Sequence, residues 1–153
     1  MNTNQIEFAI KQIRELEFFV NEDAGLSDAF DLNYHVDISV RVPVESIVIS
    51  VAADYLVKED KTPLMKGRTA TTFLIRNLSK YSKKINDKEA VDLPDPLWIT
   101  MFSVAFSHTR ALLAKSSSAT RYGHMLMPLI NPEQEFYKLF GPTLDKLKTE
   151  IGG

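Results

Sequence analysis

The chain has 153 residues, 44% of them hydrophobic and 25% charged, with a formal net charge of −2 and a pI near 5.9. This length suffices for one hydrophobic core, so we expect a single domain over residues 1–153. The slightly acidic balance supplies no basic field for a phosphate backbone and argues against general nucleic-acid binding. With no cysteine, the chain cannot form disulfides or thiolate metal sites, which fits a reducing compartment such as the cytoplasm.

The N-terminal segment predicts neither export nor a membrane anchor. It lacks the basic start, unbroken apolar core and small-residue cleavage site of a signal peptide. No apolar run approaches the roughly 20 residues that a spanning helix needs. We therefore expect a soluble protein.

The first periodic segment, Gln5–Val20, fits two kinds of secondary structure. A helical stripe would contain Ile6, Ala9, Ile10, Ile13, Leu16 and Val20. A strand would alternate through Ile6, Phe8 and Ile10, slip its phase near Gln12–Ile13, and alternate again through Leu16, Phe18 and Val20, as one β-bulge would cause. Periodicity alone leaves both readings open.

Three further strands follow a polar crossover at Asn21–Asn33, where Leu26 and Phe30 are the apolar exceptions. Tyr34–Val42 alternates apolar and polar residues without a break, which predicts a half-buried strand. Pro43 then interrupts any ladder, and a third strand is expected over Ile47–Val57. The β-branched and aromatic residues of Lys66–Leu78 favour a fourth strand. Ser79–Val91, with four lysines, predicts a solvated connection.

Two helices follow the strands. Asp95–Pro96 predicts a helix start with aspartate as the N-cap, and the helix should run to about Lys115. Its apolar stripe is wider than packing on one sheet face demands, which suggests a second buried contact. After a polar loop at Ser116–Tyr122, Asn131–Pro132 predicts a second cap and a shorter helix with a bend at Gly141–Pro142. The fold class is therefore α+β: a four-stranded antiparallel meander sheet followed by a long helix and a shorter C-terminal one.

The search for catalytic chemistry finds no phosphate loop, dinucleotide fingerprint, zinc-protease motif, calcium loop or nucleophile elbow. The three histidines are far apart in the sequence, which favours structural roles over a metal site: His35, His108 and His124. Glu15 and Glu17 would share a strand face, but a solvated acidic edge explains them without catalysis. Arg110 could form an anion site with Lys115, although snorkelling from a packed helix explains both. We predict no enzyme activity, no metal and no cofactor.

The arrangement resembles the SecB family of protein-export chaperones over about Ile10–Phe140. The stretches that carry the resemblance are Ile13–Phe19, Tyr34–Val42 and Leu126–Phe136. The resemblance implies that Gln5–Val20 contains a bulged first strand and that the exposed side of the long helix packs in a homotetramer, a dimer of dimers. It implies a holdase that binds unfolded preproteins or other non-native polypeptides in hydrophobic grooves, without a cofactor.

The same resemblance implies the residues of the client-binding groove, which lies between the crossover and the long helix: Leu16, Phe18, Leu26, Phe30, Trp98, Met101 and Phe102. Apolar contacts of this kind are nonspecific, and flexible methionine surfaces adapt to varied clients. Burial of these side chains in an ordinary core is the alternative interpretation of each residue.

Two departures concern the SecA motor, to which family members hand their clients. Glu15 matches one acidic docking position of the first strand, whereas Phe19 stands where the family has a later glutamate. The C-terminal extension that contacts SecA in the family has no counterpart after Gly153. The resemblance therefore supports holding of clients more than docking to SecA, and a toxin–antitoxin system is an alternative receiver.

A second hypothesis comes from a different functional class. A curved antiparallel sheet wrapped over a long helix can enclose an apolar cavity, so the chain could carry a small hydrophobic ligand. The carrier hypothesis predicts a closed pocket between sheet and helix. The chaperone hypothesis predicts open apolar surface and an oligomer.

Overall fold

The computed structural model describes residues 6–24 and 29–141, with the backbone alone at 85, 88 and 89. It has the predicted α+β architecture, with a four-stranded antiparallel sheet followed by a long helix and a short one. The elements in chain order are β1 (Phe8–Val20), β2 (Phe30–Arg41), β3 (Ser46–Val57), β4 (Pro63–Ile75), β5 (Ser82–Ile85), β6 (Lys88–Val91), α1 (Asp95–Ser117) and α2 (132–141).

The strand order of the main sheet is β1-β4-β3-β2. The meander prediction holds for β2, β3 and β4, which are neighbours in sequence and in space. β1 instead lies beside β4, because the crossover carries the chain from one edge of the sheet to the other. β1 and β2 are consequently the two edge strands.

β1 resolves the ambiguity of the first segment in favour of a strand, as the resemblance implied. Its pairing with β4 shifts twice, between Ile10 and Gln12 and between Glu15 and Glu17. Two bulges therefore occur, at Lys11 and Leu16, where the sequence predicted one near Gln12–Ile13. Each bulge adds a residue that has no partner on β4 and bends the strand locally.

β2 and β3 pair without interruption from Phe30 with Val57 to Arg41 with Ser46. The predicted alternation is confirmed, since even-numbered residues of β2 are half-buried and the odd-numbered residues 33–41 are exposed. β2 begins at Phe30, so the crossover is shorter than expected. Val42–Val44 forms a single 3-10 turn that contains Pro43, and Glu45 ends it in a left-handed conformation with φ 51°.

Ser79–Val91 is not a simple solvated connection. After a 3-10 turn at Leu78–Tyr81, β5 and β6 form a small antiparallel hairpin. Asn86 and Asp87 have φ values of 51° and 65° at its tip. Two consecutive left-handed residues make the tight turn that suits a two-residue hairpin, and asparagine and aspartate tolerate this conformation. The lysines obscured this hairpin in the sequence because they gave it no apolar alternation.

α1 packs on β4, β3 and β1. It begins at Asp95 as predicted, but Pro94 occupies the N-cap position, so Asp95 is the first helical residue and makes no side-chain cap. Its Oδ2 instead accepts a 3.1 Å hydrogen bond from the hydroxyl of Tyr137 in α2. A carboxylate in the first turn still complements the helix dipole.

The chain after α1 returns across the sheet end and then covers the helix. Tyr122 is fully buried and donates its hydroxyl to the carbonyl of Asn21 at 2.7 Å. The side chain of Asn131 caps α2 by accepting the amide of Gln134 at 3.1 Å, which confirms the predicted cap. The predicted bend at Gly141–Pro142 and the apolar residues beyond it lie outside the described residues. Within the described part of the chain, no helix is both long and apolar enough to cross a membrane.

Candidate polypeptide-binding surface

The predicted groove residues fall into two groups that differ in exposure. Leu16 is 44% exposed, and Phe18 and Phe30 are half-buried at the rim of the core. The three residues on α1 are buried, with exposures of 6%, 0% and 1%: Trp98, Met101 and Phe102. Leu26 lies outside the described residues.

α2 covers one member of the α1 group, Phe102. The ring of Phe102 lies 6.0 Å from that of Phe136 and 6.4 Å from that of Phe140. The second buried contact that the wide stripe of α1 suggested is therefore supplied, at this end, by the chain's own terminal helix. A client could reach Phe102 only if α2 moved away, so the part of this group in client binding stays a prediction.

The structure does not bring the two groups together. Phe18 pairs with Gly67, and a Cβ at Gly67 would lie 2.6 Å from the side chain of Leu113, which places Phe18 near the C-terminal half of α1. Phe102 is eleven residues before Leu113, a distance of about 16 Å along a helix axis. A groove that used both groups would have to follow most of α1.

A continuous apolar surface that the sequence analysis missed lies on β1. Its large apolar side chains are between 40% and 47% exposed, namely Phe8, Ile10, Ile13, Leu16 and Phe19. Among the described residues, β1 is paired on one side alone, so its other edge presents free backbone donors and acceptors. The sequence held a signal, since apolar residues occur on both faces of the strand.

The strand pairing assigns these side chains to faces, because paired residues of antiparallel strands point to the same side of the sheet. Ile10 pairs with buried Phe73 and Ile13 with buried Thr71, so both point to the side that carries α1. Phe19 pairs with Lys66 and points to the opposite side. The exposed apolar surface therefore wraps around the edge of the sheet. We call Phe8, Ile10, Ile13, Leu16 and Phe19 the β1 edge patch.

The two glutamates of β1 occupy different faces, contrary to the prediction. The bulge at Leu16 separates them, so that Glu15 pairs with Thr69 and Glu17 with Arg68. Glu15 Oε2 accepts a 2.7 Å hydrogen bond from Ser116 Oγ of α1. The carboxylate that matched a motor-docking position is therefore engaged with the chain's own helix.

His108 lies on the flank of α1 that faces β1. Its Nδ1 is 2.9 Å from Oγ1 of Thr71, the partner of Ile13 in the sheet. Burial lowers the pKa of His108, because the partly dry site disfavours the charged ring. The His108 ring is consequently neutral near neutral pH.

The other two histidines lie elsewhere. His35 is 66% exposed on β2, with Nε2 3.4 Å from Asp54 Oδ2. His124 is exposed in the segment after α1. Among the described residues, no cluster of three histidine or carboxylate side chains could hold a metal ion.

Two pockets on the described part of the surface bear on the carrier hypothesis, and neither lies between the sheet and α1. One, of about 410 Å³, is open at the N-terminal end of β1 and is lined by Glu7, Phe8, Ala9, Val44, Glu45, Leu74, Ile75 and Arg76. The other, of about 160 Å³, lies between α1 and the segment before α2. The layer between the sheet and α1 is filled by fully buried side chains, namely Ile47, Ile49, Phe73 and Met101. Neither of these two pockets is the closed pocket that the carrier hypothesis predicts.

Comparison with known proteins gives a likeness in fold. No protein-family model and no curated protein sequence matches the chain. A SecB-like chaperone of Mycobacterium tuberculosis, solved with a ChAD peptide from the HigA1 antitoxin, has a TM-score of 0.49 and 12% identity, over 81% of this chain and 85% of that one. A Streptococcus agalactiae protein of unknown function has a TM-score of 0.41 and 10% identity, over 75% and 90%.

Proposed function

We propose that the chain is a holdase chaperone that binds extended, non-native polypeptides through apolar surface. The observation that carries the proposal is the β1 edge patch, which combines five exposed large apolar side chains with a free strand edge. Monomeric proteins seldom leave such a surface uncovered, and sheet edges are normally protected by short strands, charges or covering elements. A surface of this kind suits a partner that arrives as an unfolded chain.

The binding mode follows from strand geometry. An extended client adds to the free edge of β1 through backbone hydrogen bonds, and its alternate side chains contact Ile10 and Ile13 on one face. A fully buried apolar side chain contributes roughly 1.5–3 kcal/mol, and the half-exposed residues of the patch contribute part of that. Several weak contacts of this kind give affinity without sequence specificity. No nucleotide or metal is required for capture or release.

Phe18 continues this surface towards the crossover, where the sequence places Leu26, and Phe30 lies at the far end of the crossover, on the other edge strand. Trp98 and Met101 are buried, and Phe102 joins this surface only in a form of the protein in which α2 has left α1. The structure thus supports a client site centred on β1 and the crossover more directly than one centred on α1.

We further propose a homo-oligomer, a dimer of dimers, with the flank of α1 as one interface. Val104 and Leu112 are half-buried and Ala111 is exposed on this flank, so apolar surface is available there. Docking to SecA has less support than client holding, because Glu15 is bonded to Ser116 and Phe19 stands where the family has a second carboxylate, and a toxin–antitoxin system is the alternative receiver. We place the activity in the cytoplasm, in line with the cysteine-free composition.

The experiment that tests this function measures light scattering of a slowly folding, chemically unfolded client during dilution, with and without the protein. The wild-type chain should suppress aggregation. The double variant Ile13→Ser, Leu16→Ser should lose most of that activity and stay folded. Leu126→Ser is the matched control, since Leu126 is 60% exposed but lies outside the β1 edge patch.

Mass measurements on the same variants separate client binding from assembly. A double variant that keeps its mass and loses the client supports the proposal. A double variant that dissociates yet still holds the client would assign the patch to the oligomer interface. A wild-type protein that never suppresses aggregation would refute the chaperone function.

A further inference from the structure

A small pocket lies on the flank of α1 that faces away from β1, and it is lined by one arginine and several apolar side chains. It has a volume of about 160 Å³ and is lined by Ser103, Phe106, Ser107, Arg110, Leu129, Ile130 and Pro132. This is close to the size of a cavity that accommodates a benzene ring, so it suits one side chain of a bound polypeptide. Leu129 is 82% exposed at its rim.

Arg110 is the single charged residue among those that line this pocket. Its side chain is only partly exposed, and within the described part of the chain it makes no hydrogen bond or ion pair. A guanidinium has five N–H donors in a planar fork that matches a carboxylate. An arginine that is half removed from water and lacks an acceptor is therefore available to an anionic ligand.

The surroundings of Arg110 favour a ligand with both charged and apolar parts. The ring of Phe106 lies 4.8 Å from that of Tyr34, so one wall is aromatic. Burial raises the pKa of Tyr34 to about 12, with Glu135 adding to the rise and Arg110 opposing it, which places both charges within electrostatic range of this wall. Glu135 forms no ion pair with Arg110 among the described residues, so the guanidinium keeps its donors free for a ligand.

We propose that this pocket binds an acidic side chain of an extended client, with an apolar neighbour of that side chain on Phe106, Leu129 and Ile130. The inference rests on the proposed chaperone function and adds a charge preference to it. The acidic residue would form a charge-assisted, bidentate pair with Arg110. Clients would then be selected for acidic residues within apolar segments, in contrast to the nonspecific β1 edge patch.

The test compares two short, apolar, fluorescently labelled peptides that differ by a single central glutamate or glutamine, with binding followed by fluorescence anisotropy. Wild-type protein should bind the glutamate peptide roughly tenfold more tightly, the usual scale of one charge-assisted hydrogen-bonded pair. Arg110→Gln should abolish this preference while both peptides still bind. Lys115→Gln is the matched control, because Lys115 is an exposed cation of α1 outside the pocket and should leave the preference intact.

One further variant and one further pair of peptides separate the possible outcomes. Arg110→Lys keeps the charge but loses the fork, so it should retain only part of the preference, and it serves in place of Arg110→Gln if that variant does not fold. Peptides with free and amidated C-termini should bind alike, and a preference for the free terminus would overturn the assignment to a side chain. Equal binding of glutamate and glutamine peptides by wild type would overturn the inference but leave the chaperone function standing. Failure of both peptides to bind would count against both proposals.

Discussion

The two edge strands of the sheet are built in opposite ways. β2 pairs with β3 without a bulge over its whole length, presents polar residues on its outer face, and packs its inner face against the core, where Tyr34 contacts Phe106. β1 has two bulges and leaves large apolar side chains exposed. α2 and the segment before it lie over the β2 side of α1, whereas the β1 side is open. β2 is therefore an edge whose apolar face is packed, whereas β1 is an edge whose apolar side chains are exposed, and the proposed function uses the second.

Removal of an aromatic ring beneath α2 should have the largest effect on stability. Phe102→Ala should lower the free energy of unfolding by about 3–5 kcal/mol, because it opens a cavity in a packed aromatic cluster. The matched change on the open side, Ile10→Ala, should cost less than about 1 kcal/mol. Urea unfolding of both variants gives the comparison. A small cost for Phe102→Ala would mean that the ring is not held in the core and would return it to the client groove.

A carboxylate placed on each edge strand tests the difference directly. Val36→Asp should cost about 2–3 kcal/mol, since Val36 is half-buried opposite fully buried Val51 and the charge would have no partner there. Ile13→Asp should cost less than about 1 kcal/mol because Ile13 is 44% exposed. Thermal unfolding at neutral pH measures both. Equal losses would show that the β1 edge patch is covered in solution.

Removal of a buried hydroxyl that has no hydrogen-bond partner should raise the stability of the protein. The hydroxyl of Tyr55 is fully buried and has no hydrogen-bond partner in the described part of the chain. Tyr55→Phe removes this unsatisfied group and keeps the ring, so it should raise the free energy of unfolding by about 1 kcal/mol. Tyr122→Phe is the control with the opposite sign, because the Tyr122 hydroxyl is bonded to the Asn21 carbonyl. Destabilisation of both variants would indicate that Tyr55 is hydrogen-bonded in solution.

The smallest expected effect concerns pH and the histidine on the β1 side. Because burial lowers the pKa of His108 below its ordinary value of 6.5, the unfolded chain binds the proton more tightly than the folded one. The contribution of neutral His108 to stability is therefore complete at pH values above 6.5, the ordinary pKa of histidine, and falls as the pH drops below it. Melting temperatures measured between about pH 7.5 and 5.5 should fall more steeply for wild type than for His108→Gln. A slope for His108→Gln as steep as that of wild type would contradict this expectation.

The parts of the fold that could be predicted from the sequence are those that local periodicity determines. The alternation of β2, the start of α1 at Asp95 and the cap at Asn131 each depend on a few neighbouring residues. The position of β1 at an edge depends on its pairing with β4, some fifty residues later, which no local pattern contains. The hairpin at β5 and β6 was missed because its only signal was Asn86–Asp87.

The candidate site was harder to predict for the same physical reason. Trp98, Met101 and Phe102 have the apolar character of groove residues, but exposure depends on what packs over them: all three are buried, and α2 covers Phe102. Leu16 and Phe18 were identified through the family resemblance, whereas Phe8, Ile10 and Ile13 were not. Their exposure follows from strand order, which leaves them with no covering element among the described residues.

The two bulges of β1 have a consequence for self-association into fibrils. A long, straight edge with apolar side chains is a template on which further strands can stack without limit. The bulges at Lys11 and Leu16 leave Gln12–Glu15 as an uninterrupted stretch between them, so an incoming strand finds only a short matching register there. A short register limits the number of backbone hydrogen bonds that an added strand can form. The bulges therefore work against continued stacking of strands on this edge.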